Sequence, residues 1–218
     1  MSTTNRLDLI RTTGVIAIMR ARSSDQLLHA ADAIQSGGVQ AIEVTMTTPG
    51  ALAVIEKART RHADREEEML FGAGTVLDAE SARAAILAGA QFIVAPTLDP
   101  ALIELCRRYS VPVMPGAYTP TEILTAWEAG ADMVKVFPAS IGGPEFIRAI
   151  KAPLPQIDLA PVGGVEIDNT AEFIRAGATA VGVGSSLINQ AILESHDFAA
   201  LTSRARRFIE EVARGRAH

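Results

Sequence analysis

Short apolar segments alternate along this chain with longer amphipathic ones. The stretch 25–36 is of the amphipathic kind, because Leu27, Leu28, Ala31 and Ile34 fall on one face of a helix. The short apolar runs are typical of strands that are buried on both faces and covered by helices. Eight strands are predicted in this way, at 15–19, 41–46, 70–74, 92–95, 111–115, 133–137, 157–161 and 180–184.

The regular order of strand and helix predicts a parallel sheet, since a helix is the usual connection between parallel strands. Eight such strands favour a closed (β/α)8 TIM barrel in the α/β class. We expect residues 1–218 to form one barrel domain, with the N-terminal segment and the C-terminal helix packed outside it. An open doubly wound sheet is the alternative architecture.

One local pattern occurs four times, as a helix end, a glycine and the start of a strand. The copies lie at 36–44, 88–94, 129–135 and 176–182. Glycine suits the left-handed conformation that ends a helix. Recurrence of a single αβ unit supports the barrel.

The composition agrees with this fold and restricts the function. Hydrophobic residues make up 48% of the chain and aromatic residues 5%, so the core is built mainly from aliphatic side chains. The net charge is −5 and no basic stripe is present, which gives nucleic-acid binding little support. No apolar run has membrane-spanning length, and the polar N-terminus lacks the apolar core of a signal peptide. We therefore expect a cytoplasmic protein in which the single cysteine, Cys106, is a packed thiol.

Lys135 is the first candidate for chemistry. It is one of three lysines and lies within an apolar strand, whereas Lys57 and Lys151 lie on polar helices. Alternation puts Lys135 on the face opposite to Val134 and Val136, so it points into the barrel if the valines meet the outer helices. Burial would lower its pKa and supply the free amine that attack on a carbonyl requires. The alternative is a lysine that reaches solvent at a strand end.

Two further charged residues lie within or directly after predicted strands, and a barrel carries its active site at the C-terminal ends of its strands. Glu43 lies in the second strand, where closure of the barrel could bring it close to Lys135 as a proton carrier. Its alternative role is a structural ion pair. Arg20 follows the first strand and could bind a carboxylate or a phosphate through two hydrogen bonds, or form only a surface salt bridge.

Glycine-rich loops follow the seventh and eighth predicted strands, at 161–165 and 182–186. Barrels often bind phosphate at these two loops, where glycine lets backbone N–H groups approach the oxygens and Ser185 and Ser186 add hydroxyls. The alternative is plain tight turns. A third loop at 72–76 carries Thr75, which could bind a substrate carboxylate, and its glycines could let the ligand approach.

No metal or cofactor is predicted. The four histidines show no ligand spacing at a strand end. No dinucleotide fingerprint occurs in a strand–turn–helix context.

Taken together, these segments resemble the class I 2-keto-3-deoxy-6-phosphogluconate (KDPG) aldolase family, whose members often also cleave 4-hydroxy-2-oxoglutarate (KHG). The resemblance extends from about residue 15 to 187. The segments that carry it are VIAIMR (15–20), IEVT (42–45), GAGTVL (72–77), PG (115–116), VKVFP (134–138) and GG (163–164).

The resemblance implies an aldolase that acts on a 2-keto acid sugar phosphate, forms a homotrimer and needs no cofactor. Lys135 would form the Schiff base, and Glu43 would be the general acid and base. The implied contacts to the keto acid end are Arg20, Thr75, Pro96 and Phe137, and those to the phosphate are Gly163, Gly164, Gly184, Ser185 and Ser186.

The sequence departs from the KDPG pattern at two positions. Thr47 stands where many of those members carry arginine, and Val162 stands where they carry threonine. Val162 and Ser140 are more similar to relatives that act on the galactonate epimer, whereas Thr45 matches the gluconate type. The preferred configuration at C4 therefore stays open. Two other functions are also open, a phosphate-binding barrel epimerase or isomerase and a catalytically silent phosphosugar-binding scaffold.

Overall fold

The computed structural model describes residues 3–20, 24–62 and 69–217. Within these residues, helices and strands alternate as the sequence predicts. The strands are β1 Val15–Met19, β2 Ala41–Thr45, β3 Leu70–Gly74, β4 Ile93–Val94, β5 Val113–Met114, β6 Gly116–Ala117, β7 Val134–Val136, β8 Leu159–Pro161 and β9 Val181–Val183. The helices are α1 Thr3–Thr13, α2 Ser24–Ser36, α3 Ala51–Arg61, α4 Ala79–Leu87, α5 Pro100–Arg108, α6 Pro120–Glu128, α7 Gly143–Lys151, α8 Ile167–Arg175, α9 Gln190–Ser195 and α10 Phe198–Arg216.

The strands form two parallel sheets in an α/β fold. The order in the larger sheet is β5-β4-β3-β2-β1-β9, and the order in the smaller one is β6-β7-β8. Only Pro115 separates β5 from β6, and at the other end a parallel bridge joins Val162 to Gly182. The fifth predicted strand, 111–115, ends at Pro115, which has no N–H to donate, and β6 lies just beyond it as a strand that the sequence does not predict.

Two apolar clusters follow from the alternation of side chains along the strands. One, the outer cluster, lies between the strands and the helices and contains Val134 and Val136. The other, the inner cluster, contains inward-facing residues of both sheets, among them Leu70 of β3 and Ala160 of β8, together with Ile10 of α1. Both sheets therefore face a common core. Cys106 belongs to the outer cluster and is fully buried, as the sequence predicts.

The repeated glycine stops are confirmed. Gly38, Gly89, Gly130 and Gly177 all have φ between 97° and 105°, a conformation that side chains with a Cβ rarely adopt. Each ends a helix just before a strand. At the C-terminus α10 packs against α2 and α8. Among the described residues, no helix is long and apolar enough to cross a membrane.

Candidate active site

Lys135 is buried in the middle of β7. Its side chain is 6% exposed, and its strand neighbours in register are Gly116 on β6 and Ala160 on β8. These are two of the smallest residues, so they leave room around the amine. The amine forms no hydrogen bond or ion pair with any other residue that the structure describes. Val134 and Val136 pack toward the helices, and the predicted inward direction of Lys135 follows from this.

Glu43 is the second buried charged group and is 2% exposed in the middle of β2. Burial raises the pKa of the Glu43 carboxyl above its ordinary value, and the positive charges of Lys135 and Arg20 partly oppose this effect. The structure therefore brings the three predicted charged residues together. Glu43 and Lys135 form no direct ion pair, so a water molecule or a substrate atom could lie between them.

Glycines on β3 make space for the carboxyl group and for the core beside it. A Cβ at Gly74 would lie 1.7 Å from Glu43 Oε1, and a Cβ at Gly72 would lie 2.5 Å from the ring of Phe92. The sequence predicts that these glycines let a ligand approach. In the structure, the groups that occupy the space are protein side chains. Sequence reasoning missed this role, because the pairing of β2 with β3 decides it.

Thr75 follows Gly74 directly and has an uncommon backbone conformation. Its φ is 56°, in the left-handed region that a β-branched residue rarely adopts. Strain of this kind costs on the order of 1–3 kcal/mol and is concentrated at functional sites. Thr45, two residues after Glu43, has its hydroxyl oxygen 3.2 Å from those of both Thr47 and Thr48. This hydroxyl cluster is a second feature that sequence reasoning missed.

Pro96 lies one strand away from Lys135. A Cβ at Gly116 would lie 2.2 Å from the carbonyl oxygen of Pro96, so the backbone after β4 approaches β6 very closely. Since Gly116 is in register with Lys135, this contact brings Pro96 to the neighbourhood of the amine.

A cavity of about 400 Å³ opens beside these residues. It contains seven of the predicted substrate-binding residues, namely Arg20, Phe137, Gly163, Gly164, Gly184, Ser185 and Ser186. Val162 also lines it. Thr75 and Pro96 are not part of its lining, and neither are Glu43 and Lys135. Phe137 belongs to the lining and is also close to the amine, with Lys135 Nζ 5.1 Å from the centre of its ring.

The two serines of the β9 loop differ in their hydrogen bonds. Ser186 donates its hydroxyl to the carbonyl oxygen of Val165 at 2.7 Å. Ser185 is exposed and makes no such bond to a residue that the structure describes. Its hydroxyl can therefore donate to a ligand in the cavity. Across residues 3–20, 24–62 and 69–217, no group of three or more His, Cys, Asp or Glu side chains is placed to hold a metal ion.

An amine and a carboxyl group buried together inside a parallel α/β fold fit an enzyme that attacks a ketone through its own lysine. Comparison with known proteins agrees. A family model described as KDPG and KHG aldolase matches residues 7–204. The chain belongs to this family and is an aldolase, a carbon–carbon lyase.

Relatives of both substrate types are similar to this chain. The 2-dehydro-3-deoxy-phosphogluconate aldolase of Pseudomonas aeruginosa is 31% identical over 99% of this chain and 97% of its own length. The 2-dehydro-3-deoxy-6-phosphogalactonate aldolase of Escherichia coli is 38% identical over 79% of this chain and 83% of its own. Among solved structures, KDPG aldolase from Legionella pneumophila with pyruvate captured as a covalent carbinolamine superposes with a TM-score of 0.84, at 26% identity, covering 91% of this chain and 95% of that one.

Proposed function

We propose that this enzyme reversibly cleaves KDPG to pyruvate and glyceraldehyde 3-phosphate, and also KHG to pyruvate and glyoxylate. The observation that carries the proposal is a buried lysine amine beside a buried carboxyl group, next to a cavity lined by glycine loops. The relatives that are named for KDPG and the family description support the choice of substrate.

Lys135 starts the reaction at the C2 ketone of the substrate. The amine lone pair forms the C–N bond, the carbonyl oxygen leaves as water, and the product is a protonated imine. Glu43, directly or through a water, takes the proton of the C4 hydroxyl, and the C3–C4 electron pair moves toward the cationic nitrogen as that bond breaks. The aldehyde leaves, C3 of the enamine takes up a proton, and hydrolysis releases pyruvate.

The phosphate of the substrate binds in the cavity. Gly163 and Gly164 have φ of 86° and 81°, which a residue with a Cβ rarely adopts, and they leave the loop after β8 open to the cavity. Gly184 and Ser185 offer further donors, and Ser186 fixes the loop through its bond to Val165. Arg20 lines the same cavity and also interacts electrostatically with Glu43. Its positive charge therefore attracts the anionic substrate close to the reacting carbons. Thr75, Pro96 and Phe137 hold the keto acid end.

The galactonate epimer is the second candidate substrate. Val162 lines the cavity at the position where many KDPG relatives carry threonine, and a relative of the galactonate type is similar to this chain. The two substrates differ only in the configuration at C4. Turnover of both synthetic epimers, compared as kcat/KM, decides between them. A preference of tenfold or more for the galactonate epimer would replace the first proposal.

For the whole molecule we propose that the two sheets close into one (β/α)8 barrel domain spanning residues 1–218. Two links between the sheets support this closure. Pro115 alone separates β5 from β6, and a parallel bridge joins Val162, after β8, to Gly182 on β9. We further propose a homotrimer in the cytoplasm, on the basis of the family resemblance.

Borohydride reduction with pyruvate tests the proposed chemistry. Reduction turns the imine into a stable amine, so the peptide that holds Lys135 should gain the mass of reduced pyruvate. Lys135→Ala should give no adduct and lose nearly all turnover, whereas Lys57→Ala on α3 should behave as the parent. The proposal is wrong if the Lys135→Ala enzyme keeps turnover within about tenfold of the parent. Failure to trap an adduct would favour the epimerase or isomerase hypothesis.

A further inference from the structure

We propose that the ring of Phe137 stabilises the cationic imine that forms on Lys135, and thereby sets how readily the enzyme captures its keto substrate. The inference rests on the proposed imine chemistry. It gives Phe137 a positioning and electrostatic role beyond lining the pocket.

The first observation is the geometry of the two side chains. Lys135 Nζ lies over the ring of Phe137, 5.1 Å from its centre. A cation within about 6 Å of an aromatic ring centre is attracted by the negative face of the ring. The two residues are separated by one position at the end of β7, so alternation along the strand turns both side chains the same way.

The second observation is the scarcity of other groups that could balance a cation at this position. The amine has no hydrogen bond or ion pair with any described residue, and Glu43 forms no direct ion pair with it. Glu43 acts on the amine only through space, as a coulombic interaction without a direct contact. Arg20 adds positive charge close to Glu43. The aromatic face is the group that the structure places over the nitrogen.

The third observation is the packing that holds the ring in place. A Cβ at Gly163 would lie 3.4 Å from Cε2 and 3.5 Å from Cδ2 of Phe137, so the loop after β8 packs along the edge of the ring. The ring is 39% exposed and forms part of the cavity wall. It therefore contacts the predicted phosphate loop on one side and the amine on the other.

Imine formation creates the charge that the ring would stabilise. The neutral amine gives up one proton, an acid supplies a second, and the ketone oxygen leaves with both as water. The nitrogen keeps one hydrogen and carries a full positive charge. A buried cation needs compensation, and an attractive ring face shifts this equilibrium toward the imine.

Trapping of pyruvate on Lys135 with borohydride, titrated against pyruvate concentration, tests the proposal. Phe137→Leu keeps apolar bulk but removes the ring, so half-maximal trapping should need roughly 3- to 30-fold more pyruvate. Phe137→Trp should trap at least as well as the parent. A series of fluorinated phenylalanines at this position keeps the shape while weakening the negative face, and trapping should weaken with each added fluorine.

Two controls separate this effect from simple packing. Lactate has the carboxylate of pyruvate but cannot form an imine, so Phe137→Leu should raise its inhibition constant much less than it raises the pyruvate concentration for half-maximal trapping. Tyr109→Leu removes another cation–π pair, in which Arg83 Cζ lies 4.1 Å from the ring centre, and should trap pyruvate as the parent does.

Equal trapping by the parent and Phe137→Leu, or a fluorinated series without a trend, would overturn the role of the ring and leave the aldolase mechanism intact. Absence of any Lys135 adduct in the parent protein would overturn both proposals.

Discussion

At the scale of single residues, the site depends on two ionisable groups that the fold keeps out of water. Lys135 and Glu43 are almost fully buried on different strands, and neither is neutralised by a direct ion pair. Burial of a carboxylate is costly, so these residues are retained at the expense of stability. Function and stability should therefore respond in opposite directions to substitution of Glu43.

Glu43→Gln tests the expected loss of catalytic activity. The amide has nearly the same shape but cannot take up or release a proton in the cleavage step. We expect kcat for KDPG cleavage to fall by roughly 10²- to 10⁴-fold, the usual contribution of a general acid or base. Trapping of pyruvate on Lys135 should persist in the variant, because the amine is unchanged. Cleavage at the parental rate would remove Glu43 from the mechanism.

The same substitution makes a prediction about the pH dependence of stability. In the folded protein, burial raises the pKa of Glu43 above its ordinary value of 4.5. A raised carboxyl pKa means that the folded state holds its proton more tightly, so the stabilisation is complete below about pH 4.5 and is lost as pH rises through the folded pKa. At neutral pH, well above the unfolded pKa, the group therefore opposes folding.

We therefore expect Glu43→Gln to raise the melting temperature at pH 7, by at least about 2 °C. The advantage should shrink as the pH is lowered through the same window. Melting curves of both proteins from pH 4 to pH 8 measure it, and a variant that is less stable than the parent at pH 7 would contradict the assigned burial cost.

At the scale of secondary-structure elements, β3 supports the site through residues that carry no chemistry. Its two glycines face different neighbours, Gly74 the carboxyl group of Glu43 and Gly72 the ring of Phe92. A methyl group added at either position would lie closer to neighbouring side-chain atoms than van der Waals contact allows. The consequences should nevertheless differ, because one neighbour is the predicted proton carrier and the other belongs to the inner core.

Gly74→Ala should lower kcat by at least about tenfold, since the new methyl group forces Glu43 out of place and small displacements of a catalytic group are costly. Gly72→Ala is the matched control on the same strand. It should destabilise the fold by roughly 1–3 kcal/mol through overpacking, with kcat per folded molecule close to that of the parent. Chemical denaturation and steady-state kinetics on both variants measure the two effects. Similar kcat values for the two would contradict the proposed contact.

The elements show how far the sequence could predict this molecule. The hydrophobic pattern places all eight predicted strands, because strand period and glycine stops are local signals. It does not predict β6, just beyond the fifth predicted strand, because a two-residue strand is defined by its pairing with β7 elsewhere in the chain. Alternation also predicts which side chains turn inward.

The site could be predicted only in part, for a similar reason. Strand position and residue type predict Lys135, Glu43 and the glycine loops as site residues. The charge coupling of Glu43 with Lys135 and Arg20 and the space that Gly74 leaves depend on strands that are distant in sequence. Nothing local in the sequence specifies these distances.

At the scale of the whole molecule, the proposed single barrel implies that both sheets unfold together. Both sheets contribute residues to the inner cluster. The C-terminal helix α10 packs against α2, near the start of the chain, and against α8. At Gly37 the contact between α2 and α10 is so close that a Cβ would lie 2.5 Å from the Cβ of Ala205 and 2.6 Å from the carbonyl oxygen of Thr202. A substitution there acts at the contact between α2 and α10, whereas the single tryptophan, Trp127, lies on α6.

Gly37→Ala therefore tests the cooperativity of the domain. Urea unfolding of the parent, followed by Trp127 fluorescence and by far-ultraviolet circular dichroism at one protein concentration, should give coincident transitions. The variant should be destabilised by roughly 1–3 kcal/mol, and both probes should shift by the same amount. A shift in circular dichroism without a shift in Trp127 fluorescence would mean that the region around α10 unfolds independently of α6, and the chain would then contain two cooperative units instead of one barrel.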